Sequence, residues 1–256
     1  MNADSSLKLL LRTLRLPAFV AHHESMALTG TQAGWTFGQY LRALADIEVQ
    51  ERSQRRVDRT MKAANLPLGK TRATLEEDRL PPKIRRAIAT LCEGGFVDRA
   101  ENILAFGLPG RGKTHVACAI AHELILKGYR VLFSPTYKLV QRLLVAKRDL
   151  TLDRELKRLD RFDVVILDDL GYVQQDRSEM EVLFTFLAER YERKSVIITS
   201  NLVFSKWDTI FKDAMTTAAA IDRLVHHSTI LELTGDSYRT VAALTKQKEE
   251  RASMQT

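Results

Sequence analysis

The residues under the tightest chemical constraint are Gly107-Leu108-Pro109-Gly110-Arg111-Gly112-Lys113-Thr114, which fit the phosphate-binding pattern G-x-x-x-x-G-K-[ST] at every fixed position. Glycines let a backbone turn tightly around an anion, so that its N–H groups and the start of the next helix face the phosphates. Lys113 is expected to reach the β- and γ-phosphates and the Thr114 hydroxyl to ligate Mg²⁺. Gly107, Pro109, Gly110, Arg111, Gly112 and His115 complete the predicted nucleotide contacts. A second constellation is the apolar run Val164 to Leu167 ending in Asp168-Asp169. Ligands bind beyond the carboxyl ends of strands in open α/β sheets. Asp168 is therefore read as holding Mg²⁺ through its water shell, and Asp169 as orienting or deprotonating an attacking water. Thr199-Ser200-Asn201 closes the next apolar run, where Asn201 would reach between the γ-phosphate and the water; a plain turn asparagine is the simpler alternative. Arg223 is either a surface residue or a guanidinium that acts on a neighbouring subunit's γ-phosphate. Arg239 is a weaker candidate for a phosphate contact within the same chain.

These residues need a scaffold that brings them to one edge. Asn102 to Phe106 reads as a short buried strand entering the glycine loop, and Lys113 to Lys127 as a helix with Val116, Ile120 and Leu124 inward and Gly128 as its stop. A helix from Lys83 to Glu93 delivers the chain to that strand. Further strands are expected at 130–133, 163–167, 195–199 and 229–233, with helices at 138–147, 153–159, 178–193 and 216–226 between them. Such alternation predicts an α/β fold, a parallel sheet flanked by helices.

The first part of the chain has a different character. Leu7, Leu10, Leu11 and Leu14 predict an amphipathic helix ended by Pro17, followed by a polar connection. Thr36-Phe37-Gly38-Gln39 has the spacing of a capping box and opens a long helix. On its far half Arg52, Arg55, Arg56, Arg59 and Lys62 share one face, with Glu51 and Asp58 the acids nearby. Basic residues in such a row are either a solvated face or a row of contacts to duplex phosphates. The interval between the second and third strands is also basic, and Lys138 and Arg142 are its candidate contacts; its acids would equally make helical ion pairs. The predicted organisation is a small all-α DNA-binding domain at 1–66, a linker at 67–82 and the α/β domain at 83–256.

With 256 residues and 45% apolar composition, one or two domains are expected. The net charge of +7 points to a polyanion partner. Cys92 and Cys118 stand singly, without zinc-ligand spacing. No apolar run is long enough for a membrane span and no leader pattern opens the chain, so a cytoplasmic protein is expected.

Taken together the chain resembles the IstB family, helper ATPases of bacterial insertion-sequence transposition related to DnaC-type helicase loaders within the AAA+ superfamily. The resemblance runs through nearly the whole length. It is carried by the glycine loop, Lys70-Thr71 with Thr74-Leu75-Glu76, Leu167-Asp168-Asp169-Leu170-Gly171-Tyr172, and Thr199-Ser200-Asn201 with Phe204 and Trp207. Asp222-Arg223-Leu224-Val225-His226-His227-Ser228 and Gly235-Asp236-Ser237-Tyr238-Arg239 complete it. It implies ATP and Mg²⁺ as cofactors, self-assembly on double-stranded DNA in an ATP-dependent way, and an IstA-like partner transposase. It further implies that Lys113 and Thr114 are the Walker A pair, Asp168 and Asp169 the Walker B pair, Asn201 the first sensor and Arg223 the arginine finger. Asp169 stands where many AAA+ proteins carry Glu, and the short remainder after Arg239 predicts no helical lid. A DnaC-like helicase loader and a basic DNA-packing protein whose nucleotide site only controls assembly are the alternatives. The basic stripe lacks the base-stacking aromatics that binding to single strands would favour.

Overall fold

The computed structural model describes residues 3–171, 177–202, 224–234 and 237. The chain divides into two compact units, Met1–Arg59 and Thr60–Thr256.

The first unit is helical. It holds α1 (Ala3–Thr13), α2 (Pro17–Gln32) and most of α3 (Phe37–Ala64). Two expectations need correction. Pro17 starts a helix rather than stopping one, because its fixed φ and missing N–H suit a first helical position. The expected polar connection is α2, whose inward residues Ala18, His23 and Gly30 are too small or too polar to make an apolar stripe. The leucine face of α1 is also only partly covered, with Leu7, Leu10 and Leu14 exposed. The capping box does form: Thr36 N–H donates to Gln39 Oε1 at 2.7 Å and Gln39 N–H to Thr36 Oγ1 at 3.3 Å. Glu48, buried on α3, pins α2 by accepting the Ala18 N–H at 2.8 Å.

Among its described residues the second unit carries five parallel strands, β1 (Asn102–Phe106), β2 (Val131–Pro135), β3 (Val164–Asp168), β4 (Ser195–Ser200) and β5 (Ser228–Glu232), in the order β2-β3-β4-β1-β5. This is an AAA+-like α/β sheet. The helices around it are α4 (Pro82–Cys92), α5 (Gly95–Asp98), α6 (Lys113–Leu126), α7 (Thr136–Arg148), α8 (Leu152–Leu159) and α9 (Arg177–Arg190). β1, β3 and β4 are buried along their whole length, as strands covered on both faces must be. One face sends Leu104, Phe106, Val165, Leu167, Val196 and Ile198 into a cluster with α7 and α9. Alternation along each strand turns Ile103, Ile166 and Ile197 to the other face. Both expected helices of the basic interval are present as α7 and α8.

The register sets up the chemistry. Phe106, at the end of β1, pairs with Ser200, so the glycine loop and the Thr199-Ser200-Asn201 segment leave the sheet side by side. Cys92 and Cys118 are buried, and burial pushes their thiols up to about 11 and about 12, so both remain uncharged packing groups.

Candidate functional site

A cavity of about 440 Å³ opens at the carboxyl edge of the sheet, lined by residues 109–115 together with Asp169 and Asn201. Its remaining wall is Lys70, Thr74, Leu75 and Glu76, from a stretch expected to be linker. That segment is fixed to the glycine loop's helix. His115 Nε2 lies 3.1 Å from both Thr74 Oγ1 and Thr71 O, while Thr74 Oγ1 donates to Gly69 O at 2.7 Å. Leu75 and Leu80, both buried, anchor it from below. Its polar residues and Pro-Leu-Gly break resemble those of a connection; the Thr71-Thr74 pair is the signal of an ordered turn, since Thr71 N–H donates to Thr74 Oγ1 at 3.0 Å.

The glycine loop is held in a conformation that only glycine tolerates. A Cβ on Gly107, at φ 152°, would lie 2.4 Å from Leu233 O, and one on Gly110, at φ 81°, would lie 2.2 Å from Ser237 Oγ. Lys113 is 5% exposed, and its ammonium donates to Gly107 O at 2.7 Å, Leu108 O at 3.0 Å and Asn201 Oδ1. The chain therefore places one buried positive charge at the centre of the loop and meets it with an amide from the end of β4. A phosphate can replace those neutral acceptors and gain a charge-assisted bond.

Asp168 is buried at the end of β3, and its carboxylate accepts a 2.7 Å hydrogen bond from Thr199 Oγ1. Thr136, at the start of α7, holds the Asp168 carbonyl at 2.9 Å. Asp169 takes the left-handed conformation, φ 59°, which turns the chain out of the strand and leaves its side chain at the cavity. Among the described residues no group of three or more His, Cys, Asp or Glu could hold a metal ion. Thr114 lines the cavity and Asp168 ends β3 next to Asp169, which lines it; a hydroxyl and a carboxylate are the donor types that Mg²⁺ takes, since it uses few protein ligands and completes its shell with phosphate oxygens and water. Thr136 belongs to no motif that singles it out, and Thr199 stands in the Thr199-Ser200-Asn201 segment, of which the sequence points to Asn201 alone as a site residue.

Arg223 and Arg239 lie outside the described residues, as do Tyr172, Phe204, Trp207, Asp222, Gly235, Asp236 and Tyr238. The basic candidates divide. Arg52 donates to Glu48 Oε1 at 2.9 Å and to Arg15 O at 2.8 Å, and Arg55 pairs with Glu51 at 3.1 Å and Glu48 at 3.4 Å. Glu48, which precedes the row in sequence, thus takes up its first two guanidinium groups. Arg59 is exposed and donates to Arg55 O at 3.4 Å, and Arg56 and Lys62 are exposed on the same helix. In α7, Arg142 is paired with Glu155 of α8, and Lys138 Nζ lies 6.0 Å from the Tyr137 ring centre. No described helix is long and apolar enough to cross a membrane.

The family model described as IstB-like ATP binding protein matches residues 9–247. An insertion-sequence ATP-binding protein of Sinorhizobium fredii is 42% identical over 242 residues, covering 94% of this chain and 81% of that one. One from insertion sequence IS21 of Pseudomonas aeruginosa is 36% identical over 233 residues, covering 91% and 88%. Among solved structures the DnaC helicase loader superposes with a TM-score of 0.51 at 22% identity, over 59% of this chain and 89% of that one, a likeness of fold.

Proposed function

Because the chain belongs to the family of IstB-like ATP binding proteins, we propose that it is an Mg²⁺-dependent ATPase that assembles on duplex DNA and there recruits and stimulates a partner transposase. The observation that carries the enzymatic part is the meeting of Lys113 with Asn201 in a cavity that Asp169 also lines. A site that only held nucleotide would need the glycine loop and its lysine. A carboxylate able to act on water and an amide at the lysine add what hydrolysis requires, since phosphoryl transfer depends on positioning and charge. Mg²⁺ would be held by Thr114 and Asp168 and would neutralise charge on the β- and γ-oxygens.

The net charge of +7 and the far half of α3 support the DNA part. Arg56, Arg59 and Lys62 are the proposed phosphate contacts. Arg52 and Arg55 are poor choices for mutation, because removing either strips a partner from buried Glu48 and damages the unit itself. The test joins both parts: ATP hydrolysis is measured with and without duplex DNA, and DNA affinity is followed against salt. Wild type is expected to hydrolyse ATP faster on duplex than on single-stranded DNA. The Arg56→Ala/Arg59→Ala double variant is expected to bind all sequences more weakly, with the log–log salt slope reduced by about 0.9 for each phosphate no longer neutralised. An unchanged slope would make the stripe a solvated face; faster hydrolysis on single strands would favour the helicase-loader alternative.

A further inference from the structure

Two acids in sequence are of little use unless both are aimed at the same site, and residues leaving a strand alternate their directions. The geometry points to Thr199 as the positioning residue that solves this for Asp168 and Asp169. It stands on β4 opposite Ala105, fully buried, one strand away from the acids. It bonds to three successive residues of the turn. Its hydroxyl donates to Asp168 Oδ1 at 2.7 Å and accepts the Asp169 N–H at 2.9 Å, and its carbonyl accepts the Leu170 N–H at 2.8 Å.

The polarity of this arrangement is fixed. A hydroxyl has one proton, which goes to the carboxylate, and its lone pair is then free for the amide. The first bond sets the rotamer of the acid assigned to Mg²⁺. The second helps hold Asp169 at φ 59°, a conformation that costs energy for a residue with a side chain and persists only when its surroundings impose it. Thr199 thus ties the metal carboxylate and the water-facing acid to one another and to the strand that leads into Asn201. Thr136 braces only the Asp168 carbonyl, from the other side.

This inference rests on the reading that the site takes Mg·ATP. The test compares Thr199→Val, which keeps shape and loses the hydroxyl, with Thr199→Ser, which keeps it. Affinity for a fluorescent ATP analogue is measured in EDTA and across a Mg²⁺ titration, alongside kcat and KM. Thr199→Val is expected to bind the analogue normally in EDTA, to need about 10- to 100-fold more Mg²⁺ for the metal-dependent gain, and to lose kcat by a similar factor. Thr199→Ser is expected to recover most of both. If Thr199→Val does not accumulate as folded protein, Thr199→Cys replaces it, with a weak hydrogen-bonding group of similar size and the same expected loss. A valine variant with wild-type Mg²⁺ dependence would overturn the inference. So would a serine variant as defective as valine, or an equal loss of affinity with and without metal, which would assign Thr199 to the fold alone. A wild type that gains no affinity from Mg²⁺ would overturn the Mg·ATP reading itself, a result distinct from all three.

Discussion

Lys113→Ala is expected to lose ATP binding by roughly a hundredfold or more, on the basis of about 1.5–3 kcal/mol for each hydrogen bond between a charged donor and a phosphate oxygen. The lysine is 5% exposed and already fixed by the carbonyls of its own loop and by Asn201, so little side-chain freedom remains to be lost when a nucleotide arrives. Asp169→Asn is expected to behave in the opposite way. It keeps the backbone N–H that Thr199 holds and removes the carboxylate from the cavity, so binding survives while turnover falls by about 10²- to 10⁴-fold, the range of a positioned base. Equilibrium binding of a fluorescent nucleotide and steady-state phosphate release separate the two. Equal nucleotide affinity in wild type and Lys113→Ala would remove Lys113 from the site, and full turnover in Asp169→Asn would remove the acid from the chemistry.

Both residues are legible in the sequence, and other parts of the molecule are not. The glycine loop and β3 are readable because the backbone conformation of one and the double-sided burial of the other leave few residue types permitted at each position. α2 is not, because a helix that buries Ala18, His23 and Gly30 against its neighbours carries no apolar periodicity. The basic stripe looks longer in sequence than it is in the fold for a related reason. Glu48 lies outside the row of arginines, and its role depends on the Ala18 N–H, a partner thirty residues away that no local pattern contains. The same holds at the site. His115 is recognisable as a neighbour of the loop, but its link to Thr71 and Thr74 joins segments more than forty residues apart. Local constraint is visible in a sequence; a polar bond between distant segments becomes visible only when the fold brings its partners together.

Arg223→Ala is expected to bind ATP nearly normally and to hydrolyse it about 10³- to 10⁵-fold more slowly, the cost of losing an arginine finger where it has been measured in GTPases. Loss of a surface charge would cost about 1 kcal/mol at most. The charge of the transition state argues that a neighbour supplies the arginine: Lys113 meets the ground-state phosphates, whereas the transition state spreads further charge over the γ-oxygens. A guanidinium brought by another copy on assembly would meet that charge. Mixing Arg223→Ala, which keeps a sound pocket, with Lys113→Ala, which keeps the arginine, is therefore expected to restore part of the hydrolysis that neither has alone. If the mixture stays inactive although both proteins assemble together on DNA, the charge of the transition state must be met from within one chain. Arg111 and Lys70, both on the wall of the cavity, are then the groups placed to meet it.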